Sequence, residues 1–293
     1  MRNIFQKSVR VPLTAALLFV FAFLFSVMPN GLAFWLYPLA RQVVSLKIDY
    51  STRNMLVQET EHFIIKYNPA DKNAVAMVAL AAEAAYEPVG EILNYQPSQK
   101  PLIIIYKDRN SMQKAYGWTS ENSAMGFYWG GVIQILSPMV WLNDKTSVNE
   151  FIEKGPMAHE YTHLTLDYLL KGNYPRWFTE GLAQYVEYKV NGYEWITKTN
   201  SLSQDGYTIE ELDKRFDELP NQAMAYRQSL AIMRYIIETH GSECFSQIIL
   251  EMKDGTKANK AIKNVIGLDY AELETEAKLW AKRNMKHVHS QAS

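Results

Sequence analysis

His159-Glu160-Tyr161-Thr162-His163 places two imidazoles four residues apart, with a carboxylate beside the first. On a helix, positions i and i+4 share one face, so His159 and His163 can point at a single ion. Glu160 then lies close enough to take a proton from a water that the ion activates. Seventeen residues beyond His163 stands Glu180, inside Trp177-Phe178-Thr179-Glu180-Gly181-Leu182-Ala183. Two imidazoles and one carboxylate fill three corners of a tetrahedron and leave the fourth for water, which is the donor set of a hydrolytic zinc. The expected centre is one zinc per chain on His159, His163 and Glu180, with Glu160 as general base. Other divalent ions also occupy such donor sets. Each residue has a plainer reading: two histidines can fall by chance on an exposed helix, and Glu180 can be a solvated acid favoured by the helix dipole.

The elements around these residues must bring Glu180 back to the histidines. Gly155-Pro156 suits a helix start. Lys171-Gly172-Asn173 with Pro175 breaks that helix, and a second begins near Arg176, so two antiparallel helices would juxtapose the three ligands. Gly181 and Ala183 are small and permit close helix approach. Ser147 with Glu150, and Thr208 with Glu211, read as capping boxes. Arg176–Tyr188, Gln222–Thr239, Ser242–Met252 and Asp269–Lys286 all carry apolar residues at helical spacing. Upstream the pattern is mixed. Thr60–Tyr67 and Pro101–Tyr106 read as strands, Asp71–Tyr95 as a helix, and Ala124–Leu136 as a Gly-rich turn followed by a strand. Leu46–Asn54 reads as a short polar connector.

His159-Glu160-x-x-His163 followed by Trp177-x-x-Glu180-Gly181-x-Ala183 resembles the gluzincin metallopeptidases. The second motif is similar to that of M1-type aminopeptidases, and the whole is most similar to the smaller bacterial peptidase MA-like domains. The run from His159 to Asp167-Tyr168 also resembles thermolysin's active-site helix. The resemblance covers roughly residues 60–241. The chain departs from the aminopeptidases in lacking a Gly-Ala-Met-Glu-Asn exopeptidase motif, whose place the segment from Gly126-Phe127 to Ile135 takes. The resemblance implies an α+β, zincin-like fold of two lobes: a small mixed sheet with helices first, then a mostly α-helical lobe, with a cleft between them. It implies a peptide or protein substrate. It also implies an oxyanion-stabilising Tyr or His from a later helix; Tyr226 in Ala225-Tyr226-Arg227-Gln228-Ser229 is the best match, and His240 before Gly241 is the rival. An edge strand that pairs with extended substrate is implied as well, for which Val132–Leu136 is the candidate; the same run also reads as an internal strand.

Metal-bound imidazoles hold their far nitrogens to carboxylates or carbonyls. Asp167, one turn past His163, and Gln184, one turn past Glu180, are candidates for that role; surface roles suit both equally. Trp129 and Trp141 fit either a cleft wall or a core. Cys244 lies in an apolar helical pattern and reads as a small buried hydrophobe. His287 and His289 read as a solvated tail.

The first residues bear on location. Arg2, Lys7 and Arg10 precede an uncharged run, whose part from Val11 to Met28 spans 18 residues. At ~1.5 Å per residue this is about 27 Å, close to a bilayer's hydrocarbon thickness. The charge placement predicts a single-pass membrane helix with the catalytic domain outside the cytoplasm. The alternative is a signal peptide cut after Ala33 and a secreted product. The expected organisation is 1–45 as cytoplasmic stub and anchor or signal segment. Residues 46–293 form the peptidase domain, divided into 46–146 as the α/β lobe and 147–293 as the active-site helix and helical lobe. With 30 basic and 31 acidic residues the chain has no basic field for nucleic acid. Two other functions use the same motifs: an inactive gluzincin fold kept for binding or sensing at the envelope, and an amidase acting on a non-protein amide. An intact Glu160 speaks against the first.

Overall fold

The computed structural model describes residues 31–116, 125–142, 148–202 and 206–286. The N-terminal lobe contains α1 (Gly31–Ser51), β1 (Leu56–Glu59), β2 (Ile64–Tyr67), α2 (Lys72–Leu93), β3 (Leu102–Tyr106), α3 (Arg109–Tyr116), β4 (Gly126–Trp129) and β5 (Val132–Leu136). The strands form one sheet in the order β1-β2-β3-β5-β4. β2, β3 and β5 run parallel, and β1 and β4 are antiparallel edges. Leu102-Ile103-Ile104-Ile105-Tyr106 is buried along its whole length, as expected of a strand covered on both faces. Ile103, Ile105, Ile133 and Ile135 join the main core with α2 and the later helices. Leu102, Ile104, Val132 and Leu136 face a smaller cluster that includes Met112 of α3 and Ile48 of α1.

The sequence pattern shows β5 but not its partner. Gly130 and Gly131 form a two-residue turn with φ of +58° and +88°, the left-handed geometry of a tight hairpin. The segment Gly126–Trp129 on its other side is therefore a strand. It pairs Phe127 with Gln134 and Trp129 with Val132. This makes Val132–Leu136 an internal strand, flanked by β3 and β4, and gives the edge position to β4.

The second lobe is helical: α4 (Val148–Lys154), α5 (Met157–Leu170), α6 (Arg176–Asn191), α7 (Ile209–Arg215), α8 (Gln222–Lys253), α9 (Ala258–Ile266) and α10 (Tyr270–Asn284). α8 is broken at Gly241, whose φ of +90° and ψ of 162° are non-helical, so the two expected helices are present on either side of it. Thr208 and Glu211 form the expected capping box at α7. Ser147 lies outside the described residues. α3, α9 and β1 were not foreseen, being only eight, nine and four residues long. Where α6 crosses α8, a Cβ on Gly181 would meet the Ser229 carbonyl oxygen at 2.4 Å. The small residue thus serves helix approach, as expected, with α8 as the partner.

The expected connector at Leu46–Asn54 is the last residues of α1, to Ser51, and the turn that follows, so the boundary expected between residues 45 and 46 falls inside a helix. Lys47, Asp49 and Tyr50 made this stretch look polar, and its contacts explain why: buried Lys66 of β2 donates to the Asp49 backbone oxygen at 2.8 Å and pairs with its carboxylate at 2.7 Å. Val11–Met28 lies outside the described residues. Among the described residues no helix is long and apolar enough to cross a membrane.

Asp167 of α5 has no exposed surface and ties the two lobes together. Tyr37 of α1 donates to it at 2.6 Å, Tyr128 of β4 at 2.7 Å and Tyr174 at 2.8 Å. Arg41 of α1 pairs with it at 3.1 Å and lies over the Tyr168 ring, 3.7 Å from its centroid. Removing one member of a buried ion pair strands its partner. Asp167→Ala is expected to cost about 3–5 kcal/mol in urea denaturation; a loss below about 1 kcal/mol would show that the hub does not hold α1 and β4.

Candidate metal centre

α5 and α6 are antiparallel neighbours joined by a short turn. The turn starts at Lys171, which caps α5 in the left-handed conformation (φ 53°), and continues through Gly172 (φ 74°). Asn173 is buried there and donates to the Met252 and Thr256 carbonyls at 2.8 and 2.9 Å, which fixes the turn to the end of α8. α6 then brings Glu180 to the histidine face of α5. Glu180 Oε2 stands 3.2 Å from His159 Nε2 and 3.4 Å from His163 Nε2. These three side chains offer ligand atoms all within 4.8 Å of one another. In a tetrahedron with bonds of ~2.0–2.1 Å the ligand atoms are separated by about 3.3 Å. The donor set fits a small divalent cation.

The far sides of the ligands are also occupied. His159 Nδ1 meets Glu187 Oε2 at 3.0 Å, and His163 Nδ1 meets Thr179 Oγ1 at 2.6 Å. With Nδ1 so engaged, each ring presents Nε2 to the centre. Arg176 pairs with the other oxygen of Glu180, Oε1, at 2.9 Å, which leaves Oε2 for the ion. Glu187 and Thr179 therefore fill the place expected for Asp167 and Gln184. Asp167 serves the hub described above. Gln184 donates to the Tyr226 carbonyl at 2.8 Å, holding α8 against α6. Glu187 was legible in principle: it lies seven residues past Glu180, two turns along the same face of α6.

Burial raises the Glu160 carboxyl above its ordinary range, helped by Glu180 and Glu187 and opposed by the two histidines. That suits a group that must take up a proton near neutral pH. Burial alone would raise Glu180 too, but His163, His159 and Arg176 hold it well below the usual carboxylate range. Tyr226 lies beside Glu180, Glu160 and Arg176 and is hydrogen-bonded to Arg176; burial, then Glu180, pushes its hydroxyl up, so it remains a donor. The rings of Phe216 and Trp195 meet it edge-on at 5.3 and 6.0 Å. His240 packs against Tyr235 near the break in α8 and is not among the groups at the centre. Trp141 packs on Phe151, and Trp129 is exposed at the hairpin. Cys244 is half-buried. His287 and His289 lie outside the described residues.

The two-helix scaffold and its donor set agree with a comparison at the level of sequence families. A sequence model of the Peptidase MA superfamily matches residues 91–283. The chain belongs to the Peptidase MA superfamily. This Peptidase MA chain is also similar in structure to Legionella pneumophila aminopeptidase A in complex with aspartic acid, with a TM-score of 0.46 and 13% identity. The match covers 76% of this chain and 27% of that enzyme. No curated protein matches the sequence. The domain is of the zincin-like metallopeptidase type, and its His159, His163 and Glu180 could hold a metal.

Two measurements follow from the geometry. Glu187→Ala frees the His159 ring and is expected to weaken zinc affinity about 10- to 100-fold in competition with a chelator; unchanged affinity would mean that Glu187 does not orient the ligand. The metal-free His159 also bears on pH. Burial would lower its pKa, but the charge of Glu187 and hydrogen bonds to Glu180 and Glu187 raise it well above the ordinary value. The metal-free ring thus keeps its proton to higher pH than an ordinary imidazole, and a metal ion entering the site would displace that proton. Metal loading is expected to release protons and to weaken as pH falls. Calorimetry in buffers of different ionisation enthalpy reads this directly, and proton-neutral binding at pH 7 would contradict it.

Proposed function

We propose that this Peptidase MA domain is a zinc-dependent peptidase. The observation that carries the proposal is the pre-shaped triad of His159, His163 and Glu180 with buried Glu160 beside it. A divalent zinc held there would supply Lewis acidity for a scissile carbonyl and acidify water. Glu160 takes the proton from the attacking water and passes it to the leaving amine. Tyr226, protonated and held by Arg176, donates to the oxyanion as it forms. The substrate is an extended polypeptide. Its partner is the outer edge of β4, which no strand covers among the described residues. Main-chain pairing there accepts many sequences. It also favours peptide over a compact non-protein amide.

We further infer that the domain works outside the cytoplasm, tethered through Val11–Met28. Arg2, Lys7 and Arg10 before that run set the orientation. A cut after Ala33 would fall inside α1, which supports the anchored form over the secreted one.

The test is Glu160→Gln beside Tyr226→Phe, each assayed on denatured protein substrates and for zinc content. The Gln variant is expected to retain zinc and lose at least ~10²-fold in kcat. The Phe variant is expected to lose ~10²–10³-fold, with zinc also retained. Full activity in Glu160→Gln would overturn the mechanism. A zinc-loaded wild-type protein inert on polypeptides would overturn the peptidase reading.

A further inference from the structure

α1 carries an exposed apolar stripe besides its inward face. A helix packed on its own domain turns apolar residues inward and polar ones to water. α1 does turn Val44 and Ile48 inward, toward Gly130 and the lower face of the sheet. Its anchoring contacts, however, are polar: Tyr37 and Arg41 reach Asp167, and Asp49 receives Lys66. The opposite face carries Leu36, Leu39, Val43, Leu46 and Tyr50, exposed by 45, 60, 59, 60 and 67%. Trp35 at its start is exposed by 47%. The five positions recur at alternating spacings of three and four, so they form one stripe about 21 Å long. Trp129, at the hairpin whose Gly130 abuts Val44, is 58% exposed as well.

A contiguous apolar stripe of this size needs an occupant. The chain indicates which one. Thirty residues of the sequence precede α1, and the Val11–Met28 part of the uncharged run is separated from Gly31 only by Pro29-Asn30. We propose that the outer face of α1 lies on a phospholipid bilayer, as an interfacial helix between the lipid surface and the peptidase body. It would place Trp35 and Tyr50 at headgroup depth, where such rings are favoured. A second copy fits less well. The stripe spans two heptads, whereas coiled coils sustain three or four. The polar clamp ends on Asp167, one turn past His163, so contact with the bilayer would fix the orientation of the metal-bearing helix.

This inference rests on reading Val11–Met28 as the run that enters the membrane, and the experiment separates the two. Full-length Cys244→Ser protein would be reconstituted in phosphatidylcholine–phosphatidylglycerol vesicles. It would carry a nitroxide at Leu39→Cys, Leu46→Cys, Val20→Cys or Lys260→Cys, one at a time. Collision with oxygen and with a water-soluble nickel chelate would be compared at each site. The expected result is oxygen-dominated relaxation at 20, 39 and 46 and nickel-dominated relaxation at exposed 260. Lipid exposure at 20 with water exposure at 39 and 46 would overturn the inference alone. Water exposure at 20 would overturn both readings. Spin–spin broadening at 39 and 46 without lipid exposure would assign the stripe to a second copy and overturn the inference.

Discussion

Glu180 is a carboxylate with 1% of its surface exposed, and burying such a charge is costly unless it is paired. In this fold the pairing is threefold: two imidazoles on Oε2 and the Arg176 guanidinium on Oε1. The two oxygens have different work. Oε1 is held from the protein side. Oε2 faces the point on which both histidines converge. The site therefore has its shape before any ion enters.

The surrounding structure serves to keep α5 and α6 in that relation. Gly181 lets α8 come within reach of the Glu180 turn, and Gln184 fastens the Tyr226 backbone to it. Asn173 ties the α5–α6 turn to the far end of α8. Asp167, in the last turn of α5, binds that same end to α1 and to the edge strand β4 through a buried carboxylate with four donors. The His159–His163–Glu180 cluster, Tyr226 and the edge strand β4 are thus attached to one helix pair by polar contacts that are directional as well as strong.

The motif residues were legible in the sequence because the candidate ligands come from two adjacent helices and their spacing is a local property. His159, Glu160, His163 and Glu180 needed only helical periodicity and a turn. Tyr226 needed a resemblance, since it sits on a helix distant in sequence. Glu187 and Thr179 were missed because many polar residues on an active-site helix could hold an imidazole, and only the tertiary rotation of α6 selects among them. Asp167 was misplaced for the same reason: its position one turn past His163 is right for a ligand's partner, but its side chain turns away to α1. The strand β4 was hidden by its length of four residues, and became certain only through the two left-handed glycines that close its hairpin. α1 was cut short because Lys47 and Asp49 suggested a surface linker, whereas Asp49 is paired to a lysine buried in the sheet.

The central claim is a three-ligand zinc centre of two imidazoles and one carboxylate. The most direct measurement is zinc X-ray absorption fine structure on protein loaded with one equivalent of the metal, wild type beside Glu180→Ala. The expected wild-type spectrum shows a four-coordinate nitrogen/oxygen shell at ~2.0–2.1 Å, with multiple scattering from two imidazoles and no sulfur. The expected Glu180→Ala sample binds zinc far more weakly. A folded wild-type protein that takes up no zinc, or a spectrum with one imidazole or none, would contradict the centre and everything built on it.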